Sequence, residues 1–205
     1  TIFLGGKEMR AEKTRILVLC AMAVVINVVL GEAVSAMKIP LLFLDTLGTI
    51  FISAAYGMGY GILTGVSTNL LMGVVGGAAA IPFALVSAAV AVTVSLCRKF
   101  SHGRFPLPTA VVAGLLLSVI CPMIGAPIRL ALFGGLTGSG TDILIMALRQ
   151  SGKDMISATY WGAVAGNFAD KLVSSVLVSL LLNGRLGRLL LQGERGEKRE
   201  IKSGR

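Results

Sequence analysis

Asn167, Asp170 and Lys171 stand inside one apolar stretch, Asn69 interrupts another, Asn27 and Glu32 a third, and Asp45 and Arg129 each border one. An isolated charge in hydrocarbon costs several kcal/mol. Groups of this kind persist only against a partner or a wet cavity, so the chemistry they offer is binding: a few convergent polar groups in an apolar pocket. Asp170 and Lys171 are neighbours, about 100° apart on a helix. The expectation is that they point different ways, one pairing with another helix while the other lines a cavity. An interhelical hydrogen bond or an internal salt bridge explains any single one of these residues equally well. The set points to a pocket, because several members fall toward one end of their stretches, beside irregular loops.

Bond-breaking chemistry has no comparable signature. His102 is the single histidine and sits in a basic loop, with no metal triad or Ser/His pair in view. No G-x-x-x-x-G-K-[ST] sequence is present to hold ATP. Gly138-Ser139-Gly140-Thr141 has the outline of a phosphate cradle but lacks its lysine and reads as a flexible turn. Cys20, Cys97 and Cys121 all lie in apolar runs without metal-ligand spacing, as small packing residues do. The chain is not expected to be an enzyme.

The elements that must position these residues are membrane helices. Hydrophobic residues make up 55% of the 205-residue chain, charged residues 14%, and the mean hydropathy is +0.84, whereas a soluble domain carries about 25% charged residues. Six spans are predicted, over 15–37, 42–56, 59–75, 81–97, 108 to Pro122 or Pro127, and 157–182. Lys38-Ile39-Pro40, Gly76-Gly77 and Arg98-Lys99 supply the first, third and fourth stops. The fold expected is an all-α integral membrane protein, a six-helix bundle over 15–183 with a segment 1–14 before it and a basic tail 184–205 after it. The first apolar run is too long for a signal-peptide core and is expected to remain as a helix.

The net charge of +9 suits a membrane surface better than nucleic acid, which is not an expected partner. With six spans, the amino-terminal segment, the Arg98–Arg104 loop and the tail from Arg185 all fall on one side. The positive-inside rule makes that side cytoplasmic, with both termini there. On the outer side Lys38, Arg129, Arg149 and Lys153 outnumber Asp45, Asp142 and Asp154 by one, a faint hint of an anionic substrate. Thr141–Gln150 reads as a short amphipathic helix at the interface, and Tyr160 and Trp161 as interfacial anchors. Gly57, Gly61 and Gly65, Ala80, Ala84 and Ala88, and Gly162 and Gly166 form small-residue stripes. Such stripes serve bundle packing or the docking of another subunit.

Two stretches carry a family likeness. Lys38-Ile39-Pro40 with Leu44-Asp45-Thr46-Leu47-Gly48-Thr49 precedes a glycine-rich span containing Thr68-Asn69-Leu70; Gly166-Asn167-Phe168-Ala169-Asp170-Lys171-Leu172-Val173-Ser174 runs into a basic end at Arg185-Leu186. Together, over about residues 10 to 190, they resemble the substrate-binding S components of energy-coupling factor transporters. The resemblance implies six helices with cytoplasmic termini and a micronutrient, usually a water-soluble vitamin, bound in the outer half of the membrane under closing loops. It also implies a transmembrane scaffold subunit and two cytoplasmic ATPases as partners, so ATP and magnesium belong to those partners and this chain carries no cofactor. On that reading Asp45, Asn69, Arg129, Asn167 and Asp170 contact the substrate, with Lys38 and Trp161 as outer-loop contacts. The family often carries an A-x-x-x-A docking patch on its first helix. Here Ala21 and Ala23 lack that spacing, and Ala80, Ala84 and Ala88 in the fourth span have it. Haem, another tetrapyrrole or a modified nucleobase is an alternative cargo; haem bound outside needs a methionine or tyrosine rather than His102, with Arg129 or Lys153 at its propionates. A ligand sensor without transport is the alternative function, although such sensors carry an output domain that a chain ending soon after its last span is expected to lack. An enzyme acting on lipid would require paired carboxylates or a His-rich cytoplasmic face, which the sequence does not offer. Without inverted repeats, the bundle reads as a binding unit that needs a motor.

Overall fold

Long apolar runs without internal hydrogen-bond partners must fold as helices in lipid, because only a helix satisfies its own backbone there. The computed structural model describes residues 2–39, 41–184 and 187, and among them every regular element is helical. In chain order these are α1 (Ile2–Ala36), α2 (Leu47–Tyr56), α3 (Met58–Val75), a 3-10 helix (Ala78–Phe83), α4 (Ala84–Phe100), α5 (Leu107–Phe133), α6 (Thr141–Gln150) and α7 (Met155–Asn183). Five stretches are long and apolar enough to cross a membrane: Ala11–Ala36, Met58–Val75, Ala78–Phe100, Leu107–Phe133 and Met155–Asn183. This is a multi-pass helical membrane protein. Pro40 and the tail residues Arg185, Leu186 and 188–205, on which several sequence expectations rest, lie outside the described residues.

Two expected spans change. The segment 42–56 is helical only over the ten residues Leu47–Tyr56, about 15 Å of helix, too short to cross. Its first part instead belongs to a non-helical lead-in in which Lys38, Leu41 and Leu44 take left-handed backbone angles (φ 51°, 65° and 53°). The fifth span does not stop at Pro122 or Pro127 but continues through both to Phe133. Each proline leaves the carbonyl four residues back, at Ser118 and Met123, without its helical donor; neighbouring helices and a cavity make this tolerable at membrane depth. Arg129, expected beyond the break, is therefore a helix residue.

α5 lies along α7, and α3 packs between α1, α2 and α4. The core is built around Ile50, Val90, Val94, Leu117 and Val178, drawn from α2, α4, α5 and α7. A second cluster joins Ile16, Cys20 and Ala23 of α1 to Ile52 of α2. The glycine stripes are absorbed by this packing. A Cβ on Gly61 would meet Ser53 and Ala91, and one on Gly65 would meet Ser87 and Thr49. Thr46 makes no side-chain cap for α2; the amino-terminal N–H of Gly48 donates instead to Asn27 Oδ1 of α1 at 2.7 Å. The same Asn27 donates to Thr49 and Thr68, both at 3.0 Å, tying α1, α2 and α3 together. At the far end of the bundle Asp154 caps α7, accepting the Ser157 N–H at 3.0 Å. Hydrogen bonds from Ser157 hold its carboxyl below the usual range.

The tightest approach of α1 to α2 is at Gly48, where an added Cβ would stand 2.5 Å from the Ala23 carbonyl oxygen. Gly48→Ala is predicted to destabilise the bundle by about 1–3 kcal/mol, the usual cost of overpacking. Gly59→Ala, with nothing within 4 Å, is expected to be neutral or better. Thermal unfolding of the two detergent-solubilised variants checks the contrast.

Candidate functional site

Asp170 is the sixteenth residue of the 29-residue α7, about 20 Å from either end at helical rise. It is fully buried. One carboxylate oxygen accepts the backbone N–H groups of Phe43 and Leu44 at 2.9 and 2.8 Å. The other accepts from Lys171 Nζ at 2.5 Å. Adjacent residues on a helix therefore pair after all: the flexible lysine stem carries its ammonium back over Asp170 and toward the lead-in to α2. The ammonium also donates to Thr46 Oγ1 at 2.7 Å and faces Asp45 Oδ1 at 3.5 Å. All three of its protons are thus engaged. The non-helical backbone of 43–46 is held at membrane depth by this one pair.

Above the pair lies a cavity of about 390 Å³, within the size range of small-molecule sites. It is bounded by the ends of α1, α3 and α5, the start of α4, the middle of α7 and the lead-in to α2. It therefore lies toward the end of the bundle opposite Arg98 and Lys99, which close α4. Phe43, Phe83 and Phe133 contribute aromatic wall, the last two with ring centroids 6.5 Å apart. Asn69 reaches it from α3, donating to Gly65 O at 3.1 Å and Ser87 Oγ at 2.5 Å. Asn167 reaches it from α7; its amide donates to Ala163 O at 2.9 Å and its side-chain oxygen has no partner among the described residues.

Arg129 forms the cavity's other charged edge and is 7% exposed. Nε donates to Gly135 O at 2.9 Å, and Nη2 to Thr137 Oγ1 at 2.7 Å and Ser139 Oγ at 3.1 Å. Nη2 also forms an ion pair with Asp142. The second oxygen of Asp142 accepts the Gly138 N–H at 2.6 Å. Gly134, Gly135 and Gly138 turn with positive φ (61°, 101° and 81°), which lets the chain wrap this guanidinium. The Gly138–Thr141 stretch is thus part of the arginine's shell rather than a free turn.

Of the expected contact residues, Asp45, Asn69, Arg129 and Asn167 come together on the cavity wall. Asp170 does not line it; it sits behind the wall and holds the lead-in from there. Lys38 is exposed and away from the cavity. Trp161 is 54% exposed and packs edge-on to Tyr160 with centroids 5.6 Å apart, also away from it. Ala80, Ala84 and Ala88 do not share one helix, because Ala80 belongs to the 3-10 turn and lines the cavity while the other two are half-buried on α4. Glu32, Phe43, Thr46, Ser87 and Lys171 join the wall without having been singled out as contacts. Lys171 and Glu32 carried a usable signal, a charge inside an apolar stretch. The aromatic residues are indistinguishable from lipid-facing ones in the sequence.

Removing the Asp170 carboxylate strands a buried ammonium and two buried N–H groups. Breaking one partner of a buried pair costs about 3–5 kcal/mol. Asp170→Ala is therefore expected to lower thermal stability sharply, and Asp170→Asn combined with Lys171→Met to recover a large part of it. Equal stability of Asp170→Ala and wild type in detergent would remove the pair from this role. No known protein family, curated protein or solved structure matches this chain.

Proposed function

We propose that this chain is the substrate-capture subunit of an ATP-driven micronutrient importer of the energy-coupling factor type, resident in the cell membrane. The observation that carries the reading is a ligand-sized cavity at one end of a small helical bundle, walled partly by non-helical backbone held at membrane depth. A cavity with such a wall is suited to take a small molecule from one face of the bilayer and to close over it when the Gly134–Gly140 segment moves. The basic residues Arg98, Lys99 and Arg104 lie at the opposite end, and the positive-inside rule assigns that end to the cytoplasm. The cavity then opens outward and binds a vitamin or vitamin-like solute. In this reading α2 with its lead-in counts as one of six membrane segments, and both termini face the cytoplasm. A transmembrane scaffold and two cytoplasmic ATPases, which hold the ATP and magnesium, supply the energy; this chain itself catalyses nothing.

Signalling by a bound ligand without transport is the competing use of the same cavity. Native mass spectrometry of the gently solubilised protein from its own host separates the two. A complex with a scaffold and two ATPases, carrying a small bound mass, is the expected result. The chain alone, or bound to a signalling protein, would end the importer reading.

A further inference from the structure

Four side chains that carry charge stand on the cavity wall: Glu32, Asp45, Arg129 and Lys171. Both cations are already charge-paired. Lys171 has its three protons on Asp170, Asp45 and Thr46; Arg129 is neutralised by Asp142 and bonded through Nε and Nη2 to Gly135, Thr137 and Ser139, with only Nη1 left without a partner among the described residues. Asp170 and Asp142, which neutralise them, stand outside the wall. The carboxylates on the wall are not balanced in the same way. Asp45 keeps 39% of its side chain exposed and meets Lys171 only at the long distance of 3.5 Å, the ammonium being closer to Asp170 and Thr46. Its second oxygen has no side-chain partner among the described residues. Glu32 is exposed, and no cation among the described residues stands against it. The two are neighbours in space: Asp45 packs on Gly31 of α1, where an added Cβ would stand 3.1 Å from its own, and Glu32 is the next residue along that helix.

Pairing each cation with its nearest carboxylate leaves two carboxylates on the wall and no unpaired cation there. The outer-side excess of basic residues, which hinted at an anionic substrate, therefore does not reach the cavity. The remaining wall mixes uncharged polar side chains such as Asn69, Ser87 and Asn167 with aromatic and aliphatic ones. Phe43 already has the Lys171 ammonium over its ring at 6.0 Å, and aromatic faces such as those of Phe83 and Phe133 attract a cation rather than an anion. We infer that the cavity takes a small organic cation, an amine- or ammonium-bearing molecule with an apolar or aromatic body, whose charge sits between Asp45 and Glu32. In a medium of low dielectric two carboxylates favour such a charge over an anionic counterpart of the same shape. This inference rests on the same cavity as the importer reading but on a different property of it.

Three probes of one shape test it: naphthylmethylamine, naphthylmethanol and naphthoate, titrated against the full chain in lipid nanodiscs with thermal stability as the readout. The amine is expected to bind about tenfold or more tightly than naphthoate, with the alcohol between them. Asp45→Asn is expected to lower amine affinity about tenfold or more, the usual loss for a hydrogen bond to a charged group, and Glu32→Gln a few-fold. Wild type and variants are compared in nanodiscs of the same lipid, so that the probes' own partitioning into lipid cancels. Naphthoate binding as tightly as the amine, or no probe stabilising the wild type, overturns the inference. Unchanged amine affinity in both variants does so too. If Asp45→Asn does not fold, Glu32→Gln decides alone, and an unchanged affinity there is fatal. Amine preference in a chain that assembles with no ATPase leaves the inference standing and ends the importer reading; naphthoate preference in a chain assembled with ATPases does the reverse.

Discussion

One buried ion pair at the middle of α7 carries the architecture around it. Taking two opposite charges out of water costs several kcal/mol each, and their attraction offsets this only when every remaining donor and acceptor is also satisfied. Asp170 and Lys171 meet that condition. The carboxylate accepts two backbone N–H groups and the ammonium, and the ammonium reaches Thr46 and Asp45 as well. The backbone that benefits is one that hydrocarbon would otherwise forbid, with three non-glycine residues at positive φ between α1 and α2.

The cavity follows from that anchoring. If 37–46 were helical, α2 would be a full span and the space above Lys171 would be filled by it. Held open as an irregular strip, the segment instead contributes Phe43, Asp45 and Thr46 to a wall. Asn27 completes the arrangement from the other side by supplying the helix cap that Thr46, engaged with Lys171, does not. A second buried cation, Arg129, does for the Gly134–Asp142 segment what Lys171 does for the lead-in: it gathers loop carbonyls, hydroxyls and a carboxylate around one guanidinium. Two loops are therefore each organised by one charged residue on a long helix, and both contribute to the cavity wall.

Hydropathy and the spacing of breakers were enough to read the helices, because burial in lipid acts on every residue of a run and leaves a signal in composition alone. The same holds for the polar residues at depth: their cost in hydrocarbon marks them whatever they contact, which is why Asp45, Asn69, Arg129 and Asn167 were legible before any geometry. What each of them contacts was decided by the tertiary structure. Asp170 and Asp45 look alike in sequence, yet one is consumed by the backbone of a loop more than a hundred positions away and the other faces open space. The helical continuation through Pro122 and Pro127, the shortening of α2 and the scattering of Ala80 from Ala84 and Ala88 were likewise decided by packing, which overrides local propensity. The sign of the cavity's charge depends on pairings such as Arg129 with Asp142 and Lys171 with Asp170. Charge balance is a property of distances, and distances between helices are not written in the spacing along any one of them.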